Sequence, residues 1–149
     1  NGYVVTAKHV IDGMDSFKIE TDDSSYVTMC KVYYVDPEKD IAILKPNNDL
    51  KLPSVTLGDA DKLNEGEKLV SITSPKAFKN TVDECTYSGK KDDDIILSDA
   101  AITGGSSGGA VFNHSSEIIG MAFYEVADTK EIAGAIPIND IKLILENLK

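Results

Sequence analysis

Along most of the chain, apolar residues gather in short runs that read as strands, some alternating with polar residues and some apolar throughout. Tyr3 to Thr6 is β-branched and apolar, Phe17 to Glu20 alternates, Tyr26 to Val35 is a longer run, and Ile41 to Leu44 is apolar throughout, with Pro53 to Leu57 after it. Lys68 to Thr73, Val82 to Tyr87, Ile95 to Ser98, Ala110 to Phe112, Ile118 to Tyr124 and Ile132 to Ile136 follow. Gly, Pro, Asn, Asp or Ser bounds each run, the usual punctuation of strands. One stretch switches to helical spacing: Ile141, Leu143, Ile144, Leu145 and Leu148 form an apolar face, with Asn139 or Asp140 as its predicted cap. No repeat of fixed period interrupts the pattern. Many short strands at regular spacing predict an all-β sandwich or barrel with a helix packed outside it. A weak boundary falls around Asn47 to Lys51, after Pro46.

The 149 residues suit one domain, or two small half-domains around one cleft. With 42% hydrophobic and 27% charged residues, the composition is that of a folded globule and argues against disorder. Acidic residues outnumber basic ones by 25 to 15, a net charge of −10. Such a surface repels phosphate backbones, so nucleic acid is not an expected partner. The charge keeps an exposed domain soluble, and an acidic rim favouring basic substrates is a weaker reading. Cys30 and Cys85 can form one disulfide, but two cysteines make no framework, and a buried free thiol suits Cys30 within its apolar run. The compartment stays open on this ground. No apolar run approaches the ~18 residues of a membrane span. The opening Asn1-Gly2 reads as the start of an excised domain, with a targeting or anchoring segment left open upstream.

Three short segments carry chemistry. Gly105-Ser106-Ser107-Gly108-Gly109 has the form Gly-x-Ser-Gly-Gly. A nucleophilic serine must project into a cleft while backbone N–H groups converge on the developing oxyanion. Flanking glycines allow that backbone path and a close approach of substrate. Gly105 and Ser107 are the expected N–H donors. A flexible Gly/Ser turn is the competing reading. His9, in Thr6-Ala7-Lys8-His9-Val10, follows a strand and can serve as general base, although a lone histidine is more often structural. The other histidine, His114, reads as part of a solvated loop or turn. Asp40, directly before the apolar Ile41-Ala42-Ile43-Leu44, can orient a histidine and stabilise its charged form; a turn aspartate is the alternative. The order His, Asp, Ser is that of the chymotrypsin type, not of subtilisin or the α/β-hydrolases.

Taken together, these segments resemble the trypsin-fold serine proteases, and within them the HtrA/DegP-like branch. Thr-Ala-x-His-Val around His9, Asp40 to Leu44, and Asp99-Ala100-Ala101-Ile102 leading to Ser107-Gly108-Gly109 are similar to the family's histidine, aspartate and serine motifs. Leu57-Gly58-Asp59-Ala60-Asp61 and Ala135-Ile136-Pro137-Ile138-Asn139 match further landmarks, so the likeness covers nearly the whole chain. The family usually has Asn before the serine and Pro after the paired glycines, where this chain has Ser106 and Ala110. A Gly-Asn-Pro turn is replaced by Thr73-Ser74-Pro75, and the PDZ module of the family is not expected within these 149 residues.

The resemblance implies two six-stranded-type antiparallel β-barrels and a C-terminal helix, as one protease domain over 1–149. The N-terminal barrel would occupy about 1–50 and the C-terminal barrel with its helix about 51–149. The family places further strands ahead of its histidine strand. Here the first barrel is therefore expected to be incomplete at its N-terminus, with exposed strand edges. The implied activity is peptide-bond hydrolysis through an acyl-enzyme by His9, Asp40 and Ser107, with no metal or cofactor. The specificity pocket would have Ala101 at its floor and Phe123, Tyr124, Glu125, Gly134 and Ile136 as walls. It would take a small or medium apolar residue before the cleaved bond, unless Glu125 or Asp99 reaches it. The implied partner is a protein or peptide substrate, the implied location extracytoplasmic, and homo-oligomerisation is left open. The alternative is a catalytically silent trypsin-fold module that binds peptides or partners.

Overall fold

The computed structural model describes residues 2–48, 53–125 and 131–148, with only the backbone of Ala77, Tyr124 and Glu125. The chain divides into two compact units, Asn1–Ser54 and Val55–Lys149.

The first unit is an open four-stranded antiparallel sheet. It contains β1 (Val4–Thr6), β2 (Phe17–Glu20), β3 (Val27–Val35) and β4 (Ala42–Pro46), in the order β1-β4-β3-β2. Ile11, Cys30, Ala42 and Leu44 form its core, and Val4, Phe17, Ile19 and Val35 pack against them. Thr28 and Cys30 of β3 are buried while Val27, Met29 and Lys31 are exposed, as the period of two requires. The alternation then breaks. Val32 pairs with Leu44 and Tyr34 with Ile43, leaving Tyr33 as the extra residue of a bulge. Tyr33 packs instead on Tyr3, ring centroids 4.9 Å apart.

The second unit is a closed barrel. Its strands are β5 (Thr56–Leu57), β6 (Lys68–Thr73), β7 (Thr81–Lys91), β8 (Asp94–Ser98), β9 (Ala110–Phe112), β10 (Glu117–Glu125) and β11 (Ile132–Pro137). The order β11-β8-β7-β6-β9-β10 is closed into a ring by the pairing of β10 with β11, and β5 adds to β10 in parallel. Closure leaves the six ring strands no free edge. Leu69, Cys85, Ile95, Leu97, Val111 and Ile119 are completely buried in its interior. The all-β architecture expected from the strand pattern is thus observed, as a half-barrel and a closed six-stranded barrel with a C-terminal helix.

That helix, α2 (Ile138–Asn147), differs from expectation at its start. Its N-cap is Pro137, and no side chain caps it. Asn139 turns away to other work. Its amide oxygen accepts from the Ala60 N–H at 2.9 Å, and its amide nitrogen donates to Asp59 and Asp61, each at 2.9 Å. The bond from Asn139, with that from the Asp61 N–H, holds the Asp59 carboxyl below its ordinary range. Lys142 adds a bond to the Gly58 carbonyl.

Cys30 and Cys85 are both free and buried. Burial pushes the Cys85 thiol up to about 12, with Asp83 and Glu84 adding to the effect, and burial also raises Cys30. Only the thiolate is nucleophilic. Iodoacetamide at pH 8 is therefore expected to leave both thiols intact in the native chain and to alkylate both after denaturation, as read by intact mass. Rapid native modification of Cys85 would contradict its burial.

Candidate active site

Strand β1 delivers the chain to Ala7, and a four-residue helix, α1 (Lys8–Ile11), carries His9. This helix is too short to be legible as a periodic pattern. Its position is fixed largely by Asp40. The Lys8 N–H donates to the Asp40 carbonyl at 3.2 Å, and the His9 N–H donates to Asp40 Oδ1 at 2.8 Å. The second carboxylate oxygen, Oδ2, lies 2.5 Å from His9 Nδ1. One carboxylate thus grips both the backbone and the ring of His9. With Nδ1 engaged, Nε2 is the nitrogen left for chemistry. The His9 side chain is half exposed, so the ring is accessible.

Asp40 is itself prepared by the turn before it. Asp36 Oδ1 accepts from the N–H groups of Glu38 and Lys39 at 2.9 and 2.7 Å, and the Tyr34 hydroxyl donates to Oδ2 at 3.2 Å. Burial works against the Asp36 charge, but these bonds outweigh it and keep the carboxyl below its ordinary value. The turn ends in β4, whose Ala42, Ile43 and Leu44 are buried. The apolar strand therefore anchors the acidic residue at its mouth.

In the second unit, Ser107 lies in the segment between β8 and β9. Asp99 leaves β8 with φ of 57°, and Gly105 has φ of 95°. A side chain at Gly105 would also meet the Ser74 carbonyl oxygen at 2.9 Å, so glycine is required twice over. Ser106, standing where the resembled family usually has Asn, is buried, and its Oγ accepts from the Thr103 N–H at 3.2 Å. The Gly108 N–H donates to the Ala122 carbonyl at 2.7 Å, and the Ala122 N–H donates to the Gly109 carbonyl at 2.9 Å. Between them Ser107 is half-buried, and its Oγ donates to the Phe123 carbonyl at 3.3 Å. Among the described residues neither the Gly105 nor the Ser107 N–H has an acceptor.

Phe123 owes that carbonyl to a bulge. Ala122 pairs with Ala135 and Tyr124 with Gly134, so Phe123 is the extra residue of β10. Bulges of this kind re-aim groups beside functional sites. Of the other residues named for the pocket, Ala101 is exposed, while Gly134 and Ile136 are buried. The side chains of Tyr124 and Glu125 lie outside the described residues. His114 sits in the turn joining β9 and β10. Sequence reasoning passed over Asp83, whose Oδ2 accepts from the Ala101 N–H at 2.8 Å. The available signal was parity: Asp83 shares the inward face of β7 with the buried Cys85 and Tyr87. Among the described residues there is no cluster of three metal-binding side chains, and no helix is long and apolar enough to cross a membrane.

Comparison with known proteins identifies the family. The chain belongs to the family of trypsin-like peptidase domains, which matches residues 1–121. It is 31% identical over 162 residues to the serine protease Do-like HtrA of Bacillus subtilis, covering 98% of this chain and 36% of that protein. It is 39% identical over 129 residues to a probable periplasmic serine endoprotease, DegP-like, of Marinomonas, covering 81% of this chain and 27% of that one. Among solved structures, the HtrA-type protease AlgW with a decapeptide aligns at a TM-score of 0.87 and 28% identity, over 97% of this chain and 47% of that one. AlgW with a tripeptide aligns at 0.86 and 29% identity, over 99% and 52%. The HtrA/DegP-like resemblance is thus upheld, and the chain spans only about a third of the curated relatives' length and half that of the solved ones.

Proposed function

We propose that this chain is the proteolytic domain of an HtrA-like serine endopeptidase, with His9, Asp40 and Ser107 acting together as its catalytic triad. The observation that carries the reading is the double grip of Asp40 on His9, which fixes the imidazole in the tautomer a general base needs. Membership of the trypsin-like peptidase family and the Gly105 to Gly109 segment support Ser107 as its nucleophile. In this scheme His9 takes the Ser107 proton as Oγ attacks the scissile carbonyl. The N–H groups of Gly105 and Ser107 receive the oxyanion, each worth roughly 3 kcal/mol in the transition state. His9 then returns the proton to the leaving amine, and water releases the acyl group from Ser107. The two compact units make one protease domain in this reading. A periplasmic or otherwise extracytoplasmic site of action belongs to the same proposal, supported by the name of the Marinomonas relative.

Fluorophosphonate labelling tests it. The chain is expected to label at Ser107, and Ser107→Ala is expected not to label. Equal labelling of both would overturn the assignment, and no labelling of either would favour a peptide-binding module without turnover. The substrate preference follows from Ala101. It has no carboxylate to pair with Arg or Lys, so a small or medium apolar residue is expected before the cleaved bond. A peptide library cleaved mainly after Arg or Lys would refute this.

A further inference from the structure

The segment from Asp99 to Gly109 contains no strand, yet it has to hold two oxyanion donors and a nucleophile in register. Its support is sparse. After the long Ala100 N–H contact to the Glu131 carbonyl at 3.5 Å, several of its bonds stay within the segment: Ser106 N–H to the Thr103 carbonyl at 2.9 Å, and Thr103 N–H to Ser106 Oγ at 3.2 Å. Among the described residues, three bonds tie residues 101–107 to the β6–β7 turn and the strands of the barrel. Ser107 Oγ donates to Phe123, the Gly104 carbonyl accepts from the Lys76 N–H at 2.9 Å, and the Ala101 N–H donates to Asp83 Oδ2 at 2.8 Å. The last is the only one of the three whose partner outside the segment is a side chain.

Asp83 is well placed for this. On the inward face of β7 it is the cross-strand partner of Ser71. Among the described residues the buried Ser71 hydroxyl has no hydrogen-bond partner, while Asp83 Oδ2 accepts from the Ala101 N–H. A bond to a carboxylate is roughly twice as strong as one between neutral groups. On the other side of Ala101, Asp99 is held in the left-handed region and accepts from the Thr86 hydroxyl at 3.3 Å. Residues of β7 therefore hold the segment's first turn from both faces.

We propose that Asp83 is a positioning residue for the nucleophile segment, fixing Ala101 and through it the aim of Gly105 and Ser107. It touches no reacting atom. The proposal rests on the reading of Ser107 as nucleophile, and its test has one arm that does not.

Amide exchange over residues 99–109 is compared in the chain, Asp83→Ala and Asp83→Asn, alongside fluorophosphonate labelling rates and thermal midpoints. In Asp83→Ala, exchange of 101–107 is expected to quicken by about tenfold, as for a locally opened segment. Labelling is expected to slow by roughly 10- to 100-fold, the effect of a small misplacement of reacting groups. Asp83→Asn keeps an oxygen for the Ala101 N–H and is expected within about threefold of the parent chain on both readouts, the neutral bond being the weaker. Peptide hydrolysis should lose kcat more than KM. Exchange in Asp83→Ala equal to the parent, or Asn no better than Ala, overturns the proposal. Should Asp83→Ala not fold, the Ala101 amide of the parent decides: exchange as fast as in an unstructured peptide overturns it. If the parent chain does not label, the nucleophile reading fails while exchange still judges Asp83.

Discussion

Asp40→Asn is expected to lower kcat/KM for peptide hydrolysis by about ten-thousand-fold, with the fold intact. The reason lies in the two-handed grip on His9. The His9 backbone N–H is a fixed donor, 2.8 Å from Oδ1, and claims the single oxygen of an asparagine amide. The amide NH₂ then faces Nδ1, where the carboxylate Oδ2 stood at 2.5 Å. That donor forces Nδ1 to accept and leaves the ring proton on Nε2, so His9 could no longer serve as the general base proposed for Ser107. Because the backbone bond survives, α1 should stay in place and the thermal midpoint should move little. Kinetics with a small-apolar peptide, together with fluorophosphonate labelling, check this. A loss below tenfold would remove His9 and Asp40 from the mechanism.

Gly109→Ala is expected to have the largest effect on stability. A Cβ at this position would lie 2.7 Å from Thr73 Cγ2, 2.8 Å from the Ile72 carbonyl oxygen and 3.0 Å from the Ser106 carbonyl oxygen. Two of those neighbours are backbone, and neither can move freely. Ile72 is held in the β6–β7 and β6–β9 ladders, and the Ser106 carbonyl accepts the Gly109 N–H at 3.0 Å. Overpacking of this kind costs about 1–3 kcal/mol. For a unit of this size that corresponds to a thermal midpoint lower by roughly 5–15 °C. Relief of the clash also has to shift Ser106, so labelling of Ser107 should slow in the folded fraction. A midpoint within 2 °C of the parent, about the resolution of a small stability change, would show that the barrel yields at this point.

Much of the fold was legible because the barrel obeys simple parity. Leu69, Ser71 and Thr73 are buried on β6 while the residues between them face outward, and the run Lys68 to Thr73 was bounded correctly from the sequence. Ala110 to Phe112 was likewise read at its true limits. What escaped depends on partners that a single segment does not display. The bulge at Phe123 exists only as a mismatch between two strands. The helix α1 has one turn, held by an aspartate from a distant part of the chain. Asn139 looked like a helix cap because its residue type favours that role, but Pro137 takes the position and Asn139 bonds across to Asp59 and Asp61. The candidate site divides in the same way. His9, Asp40 and Ser107 announced themselves through residue type and local motif. Asp83 sat in an ordinary-looking strand, and only the path of the folded segment beside it gives it a role.

The Asn139 contacts also bear on how the second unit comes together. They join residues 78, 79 and 80 positions apart, with Lys142 and Gly58 tied alongside. Closing so long a loop costs chain entropy before any of these bonds repays it. The clasp is therefore expected to form late, after the intervening strands have shortened the effective path, and it raises the contact order of the unit. Its bonds then stabilise the finished barrel without hastening its formation, which places their effect on the rate of unfolding. The C-terminal helix acts as a latch: removing the Asn139 amide should let the barrel open sooner while leaving the speed of its assembly nearly unchanged.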